Sequence, residues 1–472
     1  MTIDTQHEEY KGYASTWEKC ESICEGDGFE KYIEEINPHD TTRENKARNK
    51  TFKSRAVFMA IAGQTARGMK AVAFKRAPAI ELTPSIEYAK TNISGEGIGL
   101  AQHSQEAVSK VVITGRAGIL TDYPQSDGIG FSQADINAGI ARATVRLFCA
   151  DDIINWDYKK VGADSRLSLV VLKDSIKAPS DNPYSSEKKD AYLELYLDEY
   201  NFYAVRIWAK LGEYDKDYSI ISEWQPTDGA GKKWEFIPFD FIGAESNSND
   251  IDMPPMLDIV RVNIGHLNNS AIYEDSVYQC GQPQPWASGI DFEAIETAQA
   301  AGFYWGSGRL FAVPSGESIG IVQAQPNTMA RQAMIDKVDM AMQLGARMIQ
   351  PGSAVKTATQ IDSEREISHS VLSLICANVS EAYTRALRNM DRYNSIAPSD
   401  PEAIKFEINQ DFMASTVTAQ DRQVMAANFL QGLIPWSDWV RFGKAAGDID
   451  PAKTADEVLA EIEAGKQMAG AL

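Results

Sequence analysis

The sequence predicts an α+β protein, mainly helical, with an antiparallel β subdomain inserted into the helical framework. Apolar residues recur at a helical period of 3.6 through both ends and the centre of the chain. Between about Arg166 and Gly243 the period falls to two. With 472 residues, 44% apolar and 24% charged, the chain has the composition of a folded protein that can bury a sizeable core. Length alone allows about three domains or one large interwoven fold.

Residues 7–24 read as a helix, and Asn37-Pro38 marks a turn. From Thr41 to Ile80 a second helical region carries Arg43, Lys46, Arg48, Lys50, Lys53, Arg55, Arg67, Lys70, Lys75 and Arg76 against one acid, Glu44. Such a run is a solvated helix face or a contact patch for nucleic acid or an acidic partner. The glycine-rich "ISGEGIGLAQHSQEAVSKVVITGRAGILTDYP" (93–124) reads as loop, helix, turn and a short strand, Ala117 to Thr121. Its Gly95, Gly97 and Gly99 miss the GxGxxG spacing of a dinucleotide site. Asp122 reads as a turn former before Tyr123-Pro124, and His103 as a surface or core histidine rather than a catalytic one.

In the period-two region, "LSLVVL", "AYLELYL", "FYAVRIWAKLG", "YSIISEWQP" and "KWEFIPFDFIG" are separated by Asp, Gly, Pro and Lys clusters, and Trp208, Trp224 and Trp234 are expected to fill the subdomain's core. "SNSNDIDMPP" is a polar linker. Met256 to Cys280 then reads as a helix about 37 Å long, stopped by Pro283 and Pro285. Residues 284–326 form a small α/β tip. From Asn327 the helix returns with Ala330, Met334, Val338, Ala341 and Leu344 on one face, over about 31 Å. Two long helices joined by a small tip make a protruding hairpin.

The next stretch, "RMIQPGSAVKTATQIDSE" (347–364), superficially resembles a phosphate loop. It has Gly352-x-x-x-Lys356-Thr357, without the second glycine of GxxxxGK[ST] and after a helix, so nucleotide binding is not expected. Ser363 and Glu366 fit a capping box, and Ile367, Val371, Ile375, Val379, Tyr383, Leu387 and Met390 mark one face of a third long helix ending near Asn394. The segment between is then an exposed finger. Trp436 and Trp439 are expected to pack on the body.

Composition excludes several classes. Cys20, Cys24, Cys149, Cys280 and Cys376 are odd in number and scattered, which predicts free thiols; Cys20 and Cys24 lack the further ligands a zinc site needs. The polar start MTIDTQHEEY and the lack of any run of about 18 apolar residues predict neither signal peptide nor membrane span. A net charge of −20 disfavours a passive nucleic-acid coat and suits a surface past which a polyanion slides.

Three segments, "GRAGILTDYP" (115–124), "PPMLDIVRVNIGHLNNSAIYED" (254–275) and "LGARMIQPGSAVKTATQIDSE" (344–364), together with the order of elements, resemble the portal (head-to-tail connector) proteins of tailed bacteriophages. The resemblance runs from about residue 10 to 450, leaving the acidic end "DPAKTADEVLAEIEAGKQ" poorly matched. It implies the portal fold: 1–255 as wing with the β-rich part at 166–243, 256–283 and 327–347 as stem helices, 284–326 as clip and 348–363 as tunnel loop. Residues 364–394 would be the spine helix, 395–435 the wing return and 436–472 a short crown. It also implies a ring of twelve copies at one capsid vertex of the virion, assembled in the host cytoplasm. Expected partners are double-stranded DNA, the large terminase subunit, head-tail adaptor or tail proteins and the major capsid protein, without a cofactor, metal or enzymatic activity.

By the same resemblance, Gln350, Ser353, Lys356, Thr357 and Thr359 would face DNA, and Trp286, Trp305 and Arg309 would meet partners at the clip. Twelve copies would surround the duplex with about −240 formal charges. A ring of Lys356 would supply weak, salt-sensitive phosphate contacts without base information. Two alternatives stand beside this: a metal-dependent nuclease built on Asp122, Asp151 or Asp152 in "ADDIINWD" (150–157), or another structural ring protein.

Overall fold

The computed structural model describes residues 2–124, 141–177, 184, 188–210, 217–281, 284–289, 293, 296, 316, 318–322, 328–349, 370–410, 412, 419–446, 448–449, 454 and 457–462. The fold class is α+β. In chain order the elements are α1 (Glu8–Glu25), α2 (Arg43–Arg55), α3 (Ile61–Ala73), β1 (Ala79–Glu81), α4 (Leu100–Thr114), β2 (Arg116–Asp122), β3 (Thr144–Cys149), β4 (Ile153–Val161), β5 (Asp164–Lys177), β6 (Lys188–Leu197), β7 (Tyr203–Ala209) and β8 (Ser219–Trp224). They continue with β9 (Phe239–Gly243), α5 (Leu257–Cys280), β10 (Gln284–Ser288), β11 (Ser318–Val322), α6 (Thr328–Ile349), α7 (Val371–Asn394), β12 (Lys405–Glu407), α8 (Ala419–Leu430) and α9 (Trp436–Ala446). No helix among the described residues is long and apolar enough to cross a membrane.

The chain divides into two compact units. The first comprises Met1–Gly12, Gly68–Met253 and Arg347–Leu472. It holds an antiparallel sheet in the order β3-β2-β9 and a meander β4-β5-β6-β7-β8. Strand β2 is buried along almost its whole length, because its neighbours cover both edges and α4 and α7 lie against it. Helix α7 buries Leu372, Ile375, Cys376, Val379, Tyr383, Ala386, Leu387 and Met390, a helical-period stripe. Gly115 ends α4 in the left-handed region at φ 76°, where the carbonyls of Asp252 and Met253 would stand 2.9 and 3.0 Å from any Cβ. Only glycine meets both demands.

Three expectations need correction here. The meander starts at Ile153, earlier than the expected Arg166, and Phe239–Gly243 does not belong to it: β9 pairs with β2, Phe241 opposite Gly118. Pro238 has no N–H to give a ladder, and its carbonyl accepts from Thr121 N at 2.9 Å, which turns the chain into the other sheet. Helix α7 starts at Val371, not Glu364, because Ser370 is its N-cap, accepting from Ser373 N at 3.1 Å. Val371, expected on the buried face, is exposed. The proposed capping box of Ser363 and Glu366 lies outside the described residues.

The second unit comprises Tyr13–Arg67 and Pro254–Ala346. Its core includes Ile33, Phe52, Leu267 and Ala271, with Phe29, Ile36, Ala56 and Phe58 packed against them. Polar side chains of α5 fix the neighbouring chain. Asn263 accepts from Ala62 N and donates to Met59 O, and Asn268 does the same for Glu34 N and Tyr32 O. Each carboxamide thus satisfies backbone groups beyond the reach of a helix ladder.

Candidate functional site

Helix α5 begins after Pro254-Pro255. Its first part is buried on the face of Leu257, Ile259, Val260 and Leu267, while Ile272, Val277 and Tyr278 toward its end are exposed. Cys280, its last residue, is exposed as well. The strands that follow form a two-stranded antiparallel ladder from Gln284↔Val322 to Ser288↔Ser318. Trp286 faces Gly320 across it, and the indole occupies the space a Cβ at that glycine would need. Trp286 nevertheless stays exposed, as do Ile321 and Val322. The chain returns through α6, where the stem of Lys337 crosses Gly265 of α5, so the two long helices touch.

Helix α6 is 22 residues long, about 33 Å. Of its side chains, Ala330, Ala341 and Met348 are buried, with Gly345 beside them on the same edge. Gly345 lies against Thr65, whose methyl would be 3.0 Å from a Cβ. The expected apolar face (Ala330, Met334, Val338, Ala341, Leu344) therefore points inward, and Met334, Val338 and Leu344 are only partly covered.

Toward the ladder end of α5 lies an ion cluster. Asp275 of α5 accepts from Arg48 and from Arg55, each at 2.7 Å, and from Gln279 at 2.6 Å. Arg55 also stacks on Tyr278, 3.5 Å from the ring centroid. Two of the basic residues in 41–80 are thus structural, and Lys53 pairs with Glu35 at 3.2 Å. Arg43, Lys46 and Lys50 remain exposed on α2.

Of the residues expected to carry function, Trp286 is described, at the ladder. Trp305, Arg309, Gln350, Ser353, Lys356, Thr357 and Thr359 lie outside the described residues, as does nearly all of the 348–363 segment. The acids of the nuclease alternative do not converge. Asp122 stands opposite Thr144, whereas Cys149, next to the turn holding Asp151 and Asp152, pairs with Ala117. Five residues of strand separate those ends, about 17 Å. Burial raises the Asp122 carboxyl above its ordinary value, with Arg146 opposing; the carboxylate accepts from Tyr123 N. Asp152 accepts from Cys149 N, as a local cap.

The remaining candidates are structural. His103 is buried, 2.6 Å from the Tyr383 hydroxyl, and desolvation lowers it to about 4. Cys20 and Cys24 are buried, and their thiols are pushed up to about 12 by desolvation. Trp234 is fully buried, whereas Trp208 is half-buried and donates to Glu194 at 2.7 Å. Trp224 is also half-buried, so of the three only Trp234 fills a core as expected. Trp436 and Trp439 both pack on Phe429.

Sequence reasoning passed over Arg116, Asn247 and Asp252, which pin the 245–253 linker. Arg116 is buried between Trp156 and Phe241, each ring 4.3 Å from its guanidinium, and donates to Asn249 O and Asp250 O. Burial lowers its pKa to about 10. Asp252 accepts from Glu245 N and Ser246 N, and Asn247 donates to Asn378 O and Glu381 on α7. The only sequence signal was the arginine at the head of an otherwise apolar strand.

A family model described as "Domain of unknown function (DUF4055)" matches residues 255–394, from the start of α5 to the end of α7. None of the curated proteins compared with the chain matches it. Among solved structures, the chain is similar to one in the "Virion of native gene transfer agent (GTA) particle", at 13% identity, over 80% of this chain and 88% of that one, with a TM-score of 0.42. It is similar to a chain in the "Neck of native GTA particle computed with C12 symmetry" (13% identity, 81% and 89% covered, TM-score 0.41). A third lies in the "Neck of empty GTA particle computed with C6 symmetry" (12% identity, 84% and 92% covered, TM-score 0.42).

Proposed function

We propose that this chain is the portal, or head-to-tail connector, subunit of a tailed-bacteriophage-like particle. It acts as a non-enzymatic ring at one capsid vertex through which double-stranded DNA is packaged and ejected. The observation that carries this reading is the α5–α6 pair: two touching helices of 24 and 22 residues, with a small two-stranded ladder between them and α6 largely uncovered by its own chain. A helix so exposed in a monomer has little reason to be stable, whereas neighbouring copies around a common axis would cover it.

The sequence resemblance of 115–124, 254–275 and 344–364 to portal proteins supports the same reading and supplies its details. In these terms α5 and α6 are the stem, 284–326 the clip, 348–363 the tunnel loop and α7 the spine. Lys356, flanked by Gln350, Ser353, Thr357 and Thr359, meets DNA phosphates, while Trp286, Trp305 and Arg309 meet terminase, adaptor or tail proteins. The net charge of −20 per copy keeps the duplex from adhering to the channel wall. Electron microscopy of the purified chain tests the reading. Top views should show rings of about twelve copies with an axial hole, the number implied by the resemblance and a closed symmetry being the rule for oligomers. A monodisperse monomer at high concentration would end it.

A further inference from the structure

Where α5 and α6 touch, their side chains leave polar groups that nothing described above employs. At the crossing Gly265 makes room for Lys337: a Cβ there would stand 2.7 Å from the lysine's Cε and 3.9 Å from its Nζ. Asn269 follows Gly265 by four residues and His266 by three, so it neighbours both on the surface of α5. Asn269 Nδ2 and His266 Nδ1 are buried, and among the described residues neither has a hydrogen-bond partner, which is uncommon in a folded protein. His266 as a whole is only 7% exposed. Lys337 is half-buried and forms no ion pair among the described residues. Its neighbours one turn away on α6 are Ala333, Met334, Met340 and Ala341, and Asp336, next to it in sequence, is held by Gln332.

We propose that this crossing is a binding site for a small monatomic anion such as chloride, held by Lys337 Nζ, Asn269 Nδ2 and His266 Nδ1. The donor set selects the ligand's chemistry. Lys337 Nζ and Asn269 Nδ2 can only donate, so the occupant must accept. His266 completes the set: burial, with Lys337 adding to it, lowers its pKa and keeps the ring neutral, free to carry its one hydrogen on Nδ1. A water would accept these bonds and still leave the ammonium, half withdrawn from solvent, without a counter-charge; an anion supplies both. Size follows from the closeness of the helices. The lysine stem fills the space that Gly265 leaves, so a single atom fits the crossing better than a phosphate with its four oxygens. The site stands independently of the ring reading, since its residues all belong to the second unit of one chain.

The test compares the full chain in sodium chloride and in sodium gluconate at equal ionic strength, which holds screening constant. Chloride should raise the wild-type melting temperature, and the quadrupolar chloride NMR line should be several-fold broader with the protein than in buffer alone. Lys337→Met should abolish the chloride dependence of melting and most of the excess line width. Lys46→Met, at an exposed lysine of α2, should leave both as in the wild type. Asn269→Asp sets a carboxylate beside Lys337 in place of the anion, so N269D should melt above the wild type in gluconate and be insensitive to chloride, a result that damaged packing would not give. Equal wild-type melting in both salts, with no excess line width, would mean that water alone fills the crossing and would overturn the inference. A K337M or N269D protein that keeps the wild-type chloride response, or an N269D that melts below the wild type in gluconate, would overturn it as well.

Discussion

His103 and Asp240 both bear on α7, and they respond to acid in opposite directions. His103, against Tyr383, has its pKa lowered from 6.5 to about 4 by desolvation, so between those values the unfolded chain binds the proton more readily. Its contribution is whole above pH 6.5 and is lost as pH falls through 4, by roughly 3 kcal/mol. Asp240 is raised from 3.8 to about 6 by burial, with Arg385 lowering it and Glu381 raising it. Its contribution is whole below 3.8 and lost as pH rises through 6. Urea denaturation between pH 4 and 6.5 should therefore show H103Q less stable with rising pH relative to the wild type's slope, and D240N more stable. Parallel profiles for all three would contradict this. At Asp275 the expectation is simpler: D275A leaves Arg55 and Arg48 facing each other without a counter-charge. The urea midpoint should fall by the equivalent of about 2–4 kcal/mol, reduced from the full cost of a broken buried pair because Arg48 is partly solvated.

Among the elements, α7 and α6 give the sharpest expectations. Ser370→Ala removes the acceptor for Ser373 N and should lower thermal stability by about 1 kcal/mol. Ala341→Leu, on the inward edge of α6, should cost about 1–3 kcal/mol by overpacking, while Asp339→Asn, at an exposed position of the same helix, should stay within about 0.5 kcal/mol of the wild type. These elements were readable beforehand because a long amphipathic period and proline stops leave few alternatives, as with Met256–Cys280 against the observed α5. Strand β9 was not readable in its true sheet, since pairing partners 120 residues apart leave no local pattern: Leu120 meets Phe239. Nor was the role of Asn263, Asn268 and Asp275 legible. Polar residues on a helix look like a solvated face until the chain they anchor is brought against them. On α6 the period identified the inward edge and gave no sign that Met329, Ile335, Met340 and Met342 would be exposed, because apolar residues outside the stripe read as irregularity.

At the scale of the whole molecule, the proposed channel joins a strongly acidic chain to one lysine-bearing finger. Lys356→Ala should leave ring formation unchanged and weaken association of rings with linear duplex DNA several-fold at about 50 mM salt, the difference fading at higher salt as phosphate contacts are screened. Filter binding at several salt concentrations reads this directly, and an equal loss at every concentration would assign Lys356 a structural part. The cysteines carry a practical consequence. Cys20, Cys24 and Cys376 are shut in with thiols pushed up to about 12, Cys149 is half covered, and Cys280 alone lies open, at the last turn of α5. A brief maleimide reaction near neutral pH should thus place a single dye on each copy without mutagenesis. Energy transfer among identical dyes would then report how many such helix ends gather, and how closely, as assembly proceeds.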